Sequence, residues 1–153
     1  MNYSNWRKIY QSFKKKKGAQ FIYRSFIKRV SQRKEIGHIN PLVDVYNSIS
    51  LRYGVPIGGE DIDTIQGPLH LGIANGNEAF FPLGDSQNEP ALNGEVIYYD
   101  DAGAVCRCLN WRDGQRTMLK NDTTNAIFFI ESINKDQLKQ SNEAIVSLRE
   151  NDI

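Results

Sequence analysis

Apolar positions recur with two different periods along this chain, and the change divides it. In residues 3–13 (YSNWRKIYQSF), Trp6, Ile9, Tyr10 and Phe13 fall on one side of a helix. In residues 20–33, Phe21, Ile22, Phe26, Ile27 and Val30 recur at three and four, with Arg and Lys between them. That apolar face is expected to pack in the core. Lys14 to Lys17 and Gly18 form a connector too charged to be buried, and Gly37 closes the second helix. A third helix starts at Asn40, a good N-cap, with Pro41 at its first position. Leu42, Val43, Tyr46, Ile49 and Tyr53 line one face, Gly54 stops the helix, and Val55-Pro56 forces the chain to extend. Gly58-Gly59 then predicts a turn that admits positive φ and close approach. Glu60, Asp61 and Asp63 bring negative charge to the start of the next helical turn.

After Ile65 the period becomes two. Leu69, Leu71 and Ile73 alternate with His70, Gly72 and Ala74, and Asn75-Gly76 predicts a hairpin into Glu78–Leu83. Residues 84–94 form a polar loop. Strands are expected over Glu95–Tyr99, over Ala104–Trp111 after a turn at Asp100 to Gly103, and over Gln115–Leu119 after a tight turn at Asp113-Gly114. Ala126–Glu131 (AIFFIE) is almost continuously apolar and reads as a central strand. A last helix, about Asp136–Arg149, turns Leu138, Ala144, Ile145 and Leu148 inward. Helices, then meandering strands, then one helix make this an α+β chain with a mixed, mostly antiparallel sheet flanked by helices.

Length and composition add bounds. At 153 residues the chain suits a single domain: a basic helical arm (1–36), a core (37–133) and a C-terminal helix (135–150). No apolar run approaches the ~20 residues of a membrane span, and no signal peptide opens the chain, so a cytoplasmic protein is expected. The formal charge of +1 hides an asymmetry. Residues 1–36 hold eleven Lys and Arg against one acid; the remainder holds eight basic and seventeen acidic residues. Such an arm is either a nucleic-acid footprint or a solvated face packed on its own acidic body.

The chemistry-bearing residues are few. Cys106 and Cys108, two apart on a strand, suit a disulfide poorly and read as buried, reduced thiols. His38 and His70 stand at spacing unrelated to them, so no metal is expected, and no cofactor. Phosphate loops, dinucleotide fingerprints and nucleophile elbows are absent. Asp61 and Asp63 are either paired carboxylates or complements of a helix dipole. Glu131 ends the most apolar strand; if partly buried it needs a partner or a shifted pKa, and otherwise it is simply exposed. Asn110 and Trp111 sit at a strand end beside a tight turn, as pocket lining or, for Trp111, as core.

The order of NPLVDVYNSISLRYG, the IGGEDID that follows, EVIYYDDAG, CLNWRDG and TTNAIFFIE resembles the B3/B4 domain of the phenylalanyl-tRNA synthetase beta subunit. It is most similar to the free-standing B3/B4 proteins of bacteria and archaea, over about residues 6–133. The resemblance implies an α+β fold and an editing module that hydrolyses tyrosine wrongly attached to the phenylalanine tRNA. It implies trans-editing of mischarged aminoacyl-tRNA, with the aminoacylated 3′ end of a tRNA as partner. By position, Asn47 matches the helix lining the editing pocket, and Glu131 matches the carboxylate that recognises the tyrosine hydroxyl. Asn110 to Gly114 match the loop at the pocket's edge, which includes Trp111. Gly58, Gly59 and Glu60 are expected on the pocket wall. Lys14, Lys15, Lys16, Lys17, Arg24, Lys28 and Arg29 are expected to hold the tRNA backbone. Two departures stand out. The synthetase histidine of a Pro-Leu-His pattern is missing here, where the residues are Pro56-Ile57-Gly58, which leaves the catalytic group unknown. Free-standing members also carry several dozen residues before the segment matching Trp6, so an N-terminally shortened fold is expected. The alternative is a non-catalytic tRNA- or amino-acid-binding module on the same fold.

Overall fold

The computed structural model describes residues 3–32 and 37–151, with the backbone alone at Tyr3, Ile22, Tyr23, Ser25 and Phe26. The central helix α3, Pro41–Tyr53, follows its sequence signals closely. The Asn40 side chain accepts the Val43 N–H at 2.9 Å, and Gly54 takes the left-handed conformation (φ 68°, ψ 33°) that stops the helix. Val43, Tyr46 and Ile49 are buried against Val55, Ile57 and Leu119, and against Ala144 and Leu148 of the last helix, α4 (Lys135–Glu150).

Strand β1, Ile57–Asp61, pairs antiparallel with β6, Ala126–Ile130, with Gly58 opposite Phe129 and Gly59 opposite Phe128. The Gly58-Gly59 step is therefore extended strand and not a turn; neither residue has positive φ. Its glycines answer to packing. A Cβ on Gly59 would sit 2.9 Å from Leu119 Cδ1 and from the Phe128 ring, whereas one on Gly58 would meet open space. Ile57, Phe128 and Ile130 pack on the α3–α4 cluster, so Gly58, Glu60 and Phe129 face the other way. Glu60 and Asp61 close this strand, and a single 3-10 turn, Ile62–Thr64, follows with the Asp61 carboxylate accepting the Asp63 N–H. The expected central position of β6 gives way to a two-stranded sheet: this run is apolar because both faces are covered, not because both edges are paired.

The second sheet is an antiparallel meander of β2 (His70–Ile73), β3 (Val96–Asp100), β4 (Gly103–Arg107) and β5 (Arg112–Asp113). The predicted hairpin at Asn75-Gly76 does not form. The Glu78 carboxylate accepts the N–H groups of Asn75, Gly76 and Asn77, winding the chain into a closed loop, and β2 pairs with β3 instead. Leu71 and Ile73 of β2 are exposed, and the His70 ring stacks on Tyr99. The strand expected over Ala104–Trp111 ends at Arg107. Cys108 and Leu109 then adopt positive φ (49° and 65°), so the turn falls at 108–111, and residues 115–119 form no strand. Cys108 thus leaves the strand that holds Cys106, and both are buried free thiols.

Helix α1, Tyr3–Gln11, buries Trp6 and Tyr10 with Phe21, Cys108 and Leu109, and the Trp6 and Phe21 rings stack at 4.5 Å. Helix α2, Ile22–Ser31, departs from expectation: α1 takes the core position, leaving Ile27 and Val30 exposed. The Ile22 and Phe26 side chains of its stripe, and the stretch 33–36 before Gly37, lie outside the described residues. On α4, Leu138 and Ile145 point outward, while Gln137, Ser141 and Ser147 join Ala144 and Leu148 inside. Polar contacts explain the exchange. Gln137 Oε1 accepts the Ile133 N–H at 3.2 Å, and Ser141 shares a 2.6 Å hydrogen bond with Ser132.

Arg107 is wholly buried at the end of β4. Its guanidinium donates to both Glu95 oxygens (2.9 and 2.5 Å) and to the Glu89 carbonyl (2.9 Å). Replacing Arg107 by Ala leaves the Glu95 carboxylate buried without a counter-charge, and is expected to cost about 3–5 kcal/mol of unfolding free energy. Urea denaturation of the two proteins measures it; a loss under about 1 kcal/mol contradicts the pair's structural role.

Candidate functional site

The face of β1–β6 that turns away from the helices meets the β3–β4–β5 side of the second sheet, and a small cavity lies between them. Gly58 and Glu60 come from β1, Phe129 and Glu131 from β6 and the residue after it, Tyr98 from β3, and Cys106 and Asp113 from β4 and β5. Asn110 arrives on the left-handed turn after Arg107. Four residues read from the sequence as pocket lining (Gly58, Glu60, Asn110 and Glu131) therefore share one cavity. Its volume is about 30 Å³, room for one group the size of a water molecule.

Glu131 is half-buried, and two side chains point at its carboxylate. The Tyr98 hydroxyl donates to Oε1 at 3.0 Å, and Asn110 Nδ2 lies 3.4 Å from Oε2. Burial nevertheless pushes its pKa up to about 7, over the opposing pull of those donors. Asn110 is held in turn by α1: the Tyr10 hydroxyl lies 2.7 Å from Asn110 Oδ1 and 2.8 Å from the Cys108 carbonyl, its one proton serving both. The phenols of Tyr10 and Tyr98 are pushed up by burial, so both stay donors at any working pH.

Glu60 is in a harsher setting. Only 3% of the residue is exposed, and its Oε2 has no hydrogen-bond partner among the described residues; neither has Thr117 Oγ1. Burial, then the Asp113 carboxylate, push its pKa up to about 9, over the opposing effects of Thr117 and Arg116. Asp113 is itself raised by burial, and the Cys106 thiol is pushed far up by burial and by Asp113. Arg116 is committed elsewhere, forked onto Asp100 at 2.7 and 2.8 Å. The cavity thus has three carboxyl groups on its walls and no cation among its lining residues.

Other expected residues lie apart from it. Asn47 is buried on α3 and lines a different hollow, with His38, Asp44, Ser48 and Arg52. Gly59 faces the helices, and Trp111 packs on the cluster around Trp6 with the Arg112 guanidinium 6.0 Å above its ring. In the basic arm, Lys15 Nζ donates to the Tyr10 carbonyl and Lys16 pairs with Glu89, whereas Lys14, Lys17, Arg24, Lys28 and Arg29 are exposed. Asp61 and Asp63 bond separately to Thr123 and Asn125 and are not a catalytic pair at this cavity. Tyr10, Tyr98 and Cys106 are the lining or supporting residues that the sequence reading missed, while Asp113 lies in the Asn110 to Gly114 loop expected at the pocket's edge. Period-two alternation marks Tyr98 as sharing a face with Val96 and Asp100, but nothing local tells which face meets β6. No three His, Cys, Asp or Glu side chains among the described residues are placed to hold a metal ion, and none of the described helices is long and apolar enough to cross a membrane.

Comparison with known proteins agrees with this architecture. The family model of the B3/4 domain matches residues 6–150. The phenylalanine–tRNA ligase beta subunit of Mycoplasma pneumoniae is 28% identical over 107 residues, 70% of this chain and 13% of that protein. That of Mycoplasma genitalium is 31% identical over 103 residues, 67% of this chain and 12% of that protein. The chain thus spans only a small part of the length of these relatives. A crystal structure of an N-terminal fragment of the phenylalanyl-tRNA synthetase beta subunit from Pyrococcus horikoshii superposes over 71% of this chain and 39% of its own, with TM-score 0.57 and 18% identity, a likeness of fold. The chain belongs to the B3/4 domain family.

The raised Glu60 pKa carries a stability signature. The folded protein keeps a proton that the unfolded chain releases above its ordinary pKa of 4.5. Stability therefore falls as pH rises from about 4.5 towards about 9, by up to ~1.4 kcal/mol per pH unit for this group. Glu60→Gln is expected to match the parent near pH 4 and to be the more stable protein at pH 8. Denaturant midpoints at the two pH values test this, and a variant weaker than the parent at pH 8 refutes it.

Proposed function

We propose that this B3/4 domain acts in trans on mischarged aminoacyl-tRNA, holding the esterified amino acid at the cavity between the two sheets while water hydrolyses the ester. The observation that carries the reading is the convergence of Gly58, Glu60, Asn110 and Glu131, from three separate stretches of chain, on one cavity. Its chemistry suits a hydroxylated side chain. The Glu131 carboxylate accepts the hydroxyl proton, and Asn110 offers an amide beside it. The protein's contribution is orientation and fixed electrostatics around an ester whose leaving group is the tRNA 3′ end. Asn47, buried on α3, lines a separate hollow and has no part in this cavity. The exposed basic residues Lys14, Lys17, Arg24, Lys28 and Arg29 bind the tRNA phosphates, with Lys15 and Lys16 occupied in fixing the arm to the body.

The second reading, a module that binds aminoacyl-tRNA without turnover, draws on Gly58. This position carries no side chain, and the space beside it is open where the resemblance leads one to expect a histidine. The two readings share a pocket and differ in whether the ester is lost.

Deacylation of a panel of charged tRNAs, beginning with tyrosyl-tRNA of the phenylalanine anticodon, separates them. Ester loss above the spontaneous rate is expected. Glu131→Ala is expected to change which amino acid is removed by about tenfold in relative rate while leaving tRNA affinity within about twofold. Because Glu131 ionises near pH 7, preference for a hydroxylated over a plain aromatic amino acid should rise between pH 6 and 8. An unchanged substrate profile in the variant refutes the pocket assignment, and binding without ester loss favours the second reading.

Salt dependence tests the arm. The logarithm of tRNA affinity should fall linearly with the logarithm of salt concentration, and the double variant Lys14→Ala, Lys17→Ala should flatten the slope by roughly 1 to 2. An unaltered slope places the RNA elsewhere.

A further inference from the structure

The cavity holds an unbalanced set of buried groups. Glu60 is nine-tenths buried and more, and its Oε2 makes no hydrogen bond among the described residues, although the Thr117 hydroxyl, itself unpaired, lies near enough to favour its charged form. Asp113 and Glu131 share its cavity, and Arg116, the nearby cation, is bound bidentately to Asp100. Buried carboxyl groups are ordinarily paired, or else carry a proton. Here no side chain supplies the counter-charge, so the site is complementary to a cation that arrives from outside.

The geometry points to this cavity as a subsite for a primary ammonium group, the α-amino group of an amino acid or of its ester, received by the carboxylates of Glu60 and Asp113. At rest the cavity, about 30 Å³, has room at Glu60 and Asp113 for a group like –NH₃⁺ alone, and seating a whole amino acid, with its hydroxyl at Glu131, requires the two walls to part. An ammonium also brings N–H donors to Glu60 Oε2, which is unpartnered and becomes a pure acceptor once its proton has left. An anion would meet three carboxyl groups. A metal ion would need three ligands on one point, and the described His, Cys, Asp and Glu side chains offer no such set. The amine's owner is named by the proposed function, on which the identity of the ligand rests; the subsite itself is read from the cavity.

Charge balance follows directly. In the free protein near pH 7, Glu60 holds a proton, because burial and Asp113 raise its pKa. The groups facing it are Cys106 of β4, Asp113 of β5, Arg116 and Thr117 of the next segment, and Tyr46 of α3, with Glu131 farther along its own wall, after β6. When R–NH₃⁺ enters, the Glu60 O–H bond breaks, the proton goes to buffer, and the carboxylate pairs with the ammonium. Binding therefore releases up to one proton.

Isothermal titration calorimetry of the whole protein at pH 7, in two buffers of different ionisation heat, tests this with tyramine and with p-cresol, which shares the phenol ring but lacks the amine. Tyramine is expected to bind at least about tenfold more tightly and to release a proton, a difference of ~1.4 kcal/mol or more. Glu60→Gln, an isosteric change, should abolish both the preference and the proton release, and Asp113→Asn should weaken both. Equal binding of the two probes, or a preference untouched by both variants, overturns the subsite. Deacylation by the same preparation is read separately. Ester loss with no amine preference removes the subsite and leaves the proposed function standing. Amine preference without ester loss keeps the subsite and removes the hydrolase.

Discussion

The ion pair of Arg107 with Glu95 is the constraint on which the rest of the second sheet depends. Both side chains are fully enclosed, so neither tolerates loss of the other. The pair joins the end of β4 to the start of β3, and a third guanidinium N–H ties in the loop at Glu89. Glu89 in turn meets Lys16, which brings the basic arm down onto the body. Immediately after Arg107 the backbone turns left-handed at Cys108 and Leu109, with the Leu109 N–H bonded to the Val96 carbonyl at 2.7 Å. That turn delivers Asn110 to the cavity. A strained two-residue bend persists only where its surroundings over-determine it, and here Arg107 on one side and Tyr10 on the other do so.

The protein therefore treats buried charge in two ways. Next to the cavity, Arg107 and Glu95 neutralise each other, and Arg116 neutralises Asp100, whose carboxyl stays below its ordinary pKa despite burial because of that guanidinium and two backbone N–H groups. Within the cavity, Glu60, Asp113 and Glu131 have no such partner and are held up instead. The contrast lies between neighbours on the same short segment, since Asp113 and Arg116 are three residues apart. Structural acids are satisfied by cations; the acids that face the cavity are left to protons.

Local signals in the sequence were sufficient where they act locally. The Asn40 cap, Pro41, the apolar face of α3 and the Gly54 stop all reappear in the structure, because each concerns a residue and its neighbours within one turn. The α+β class followed from the change of period. Signals that needed a partner failed. Asn75-Gly76 reads as a hairpin until Glu78 is seen to occupy three N–H groups of that turn. AIFFIE reads as a central strand because a strand covered on both faces has the same composition as one paired on both edges. Gly58-Gly59 reads as a turn because a glycine kept for space looks the same as one kept for φ. For the site, the Gly58 to Glu60 stretch was read as a pocket wall from its glycines and acids, and Glu131 and the Asn110 to Gly114 loop came in with the family resemblance, whereas Tyr10 and Tyr98 come from distant segments whose approach only the folded chain displays.

The two sheets share no strand ladder among the described residues; the isolated bridge of Glu60 with Met118 ties β1 only to the segment that follows β5. The cavity is thus bounded by a seam. Its walls meet through side chains, with the Tyr98 and Phe129 rings 5.2 Å apart, an association worth about 0.5–1.5 kcal/mol beyond the area it covers. Opening such a seam shears ring contacts and leaves every rung of both sheets intact. The resting volume of a chamber built this way measures how well its side chains nest, and room for a larger guest would be made at the expense of the Tyr98–Phe129 ring contact and the Tyr98–Glu131 hydrogen bond rather than of an unravelled strand.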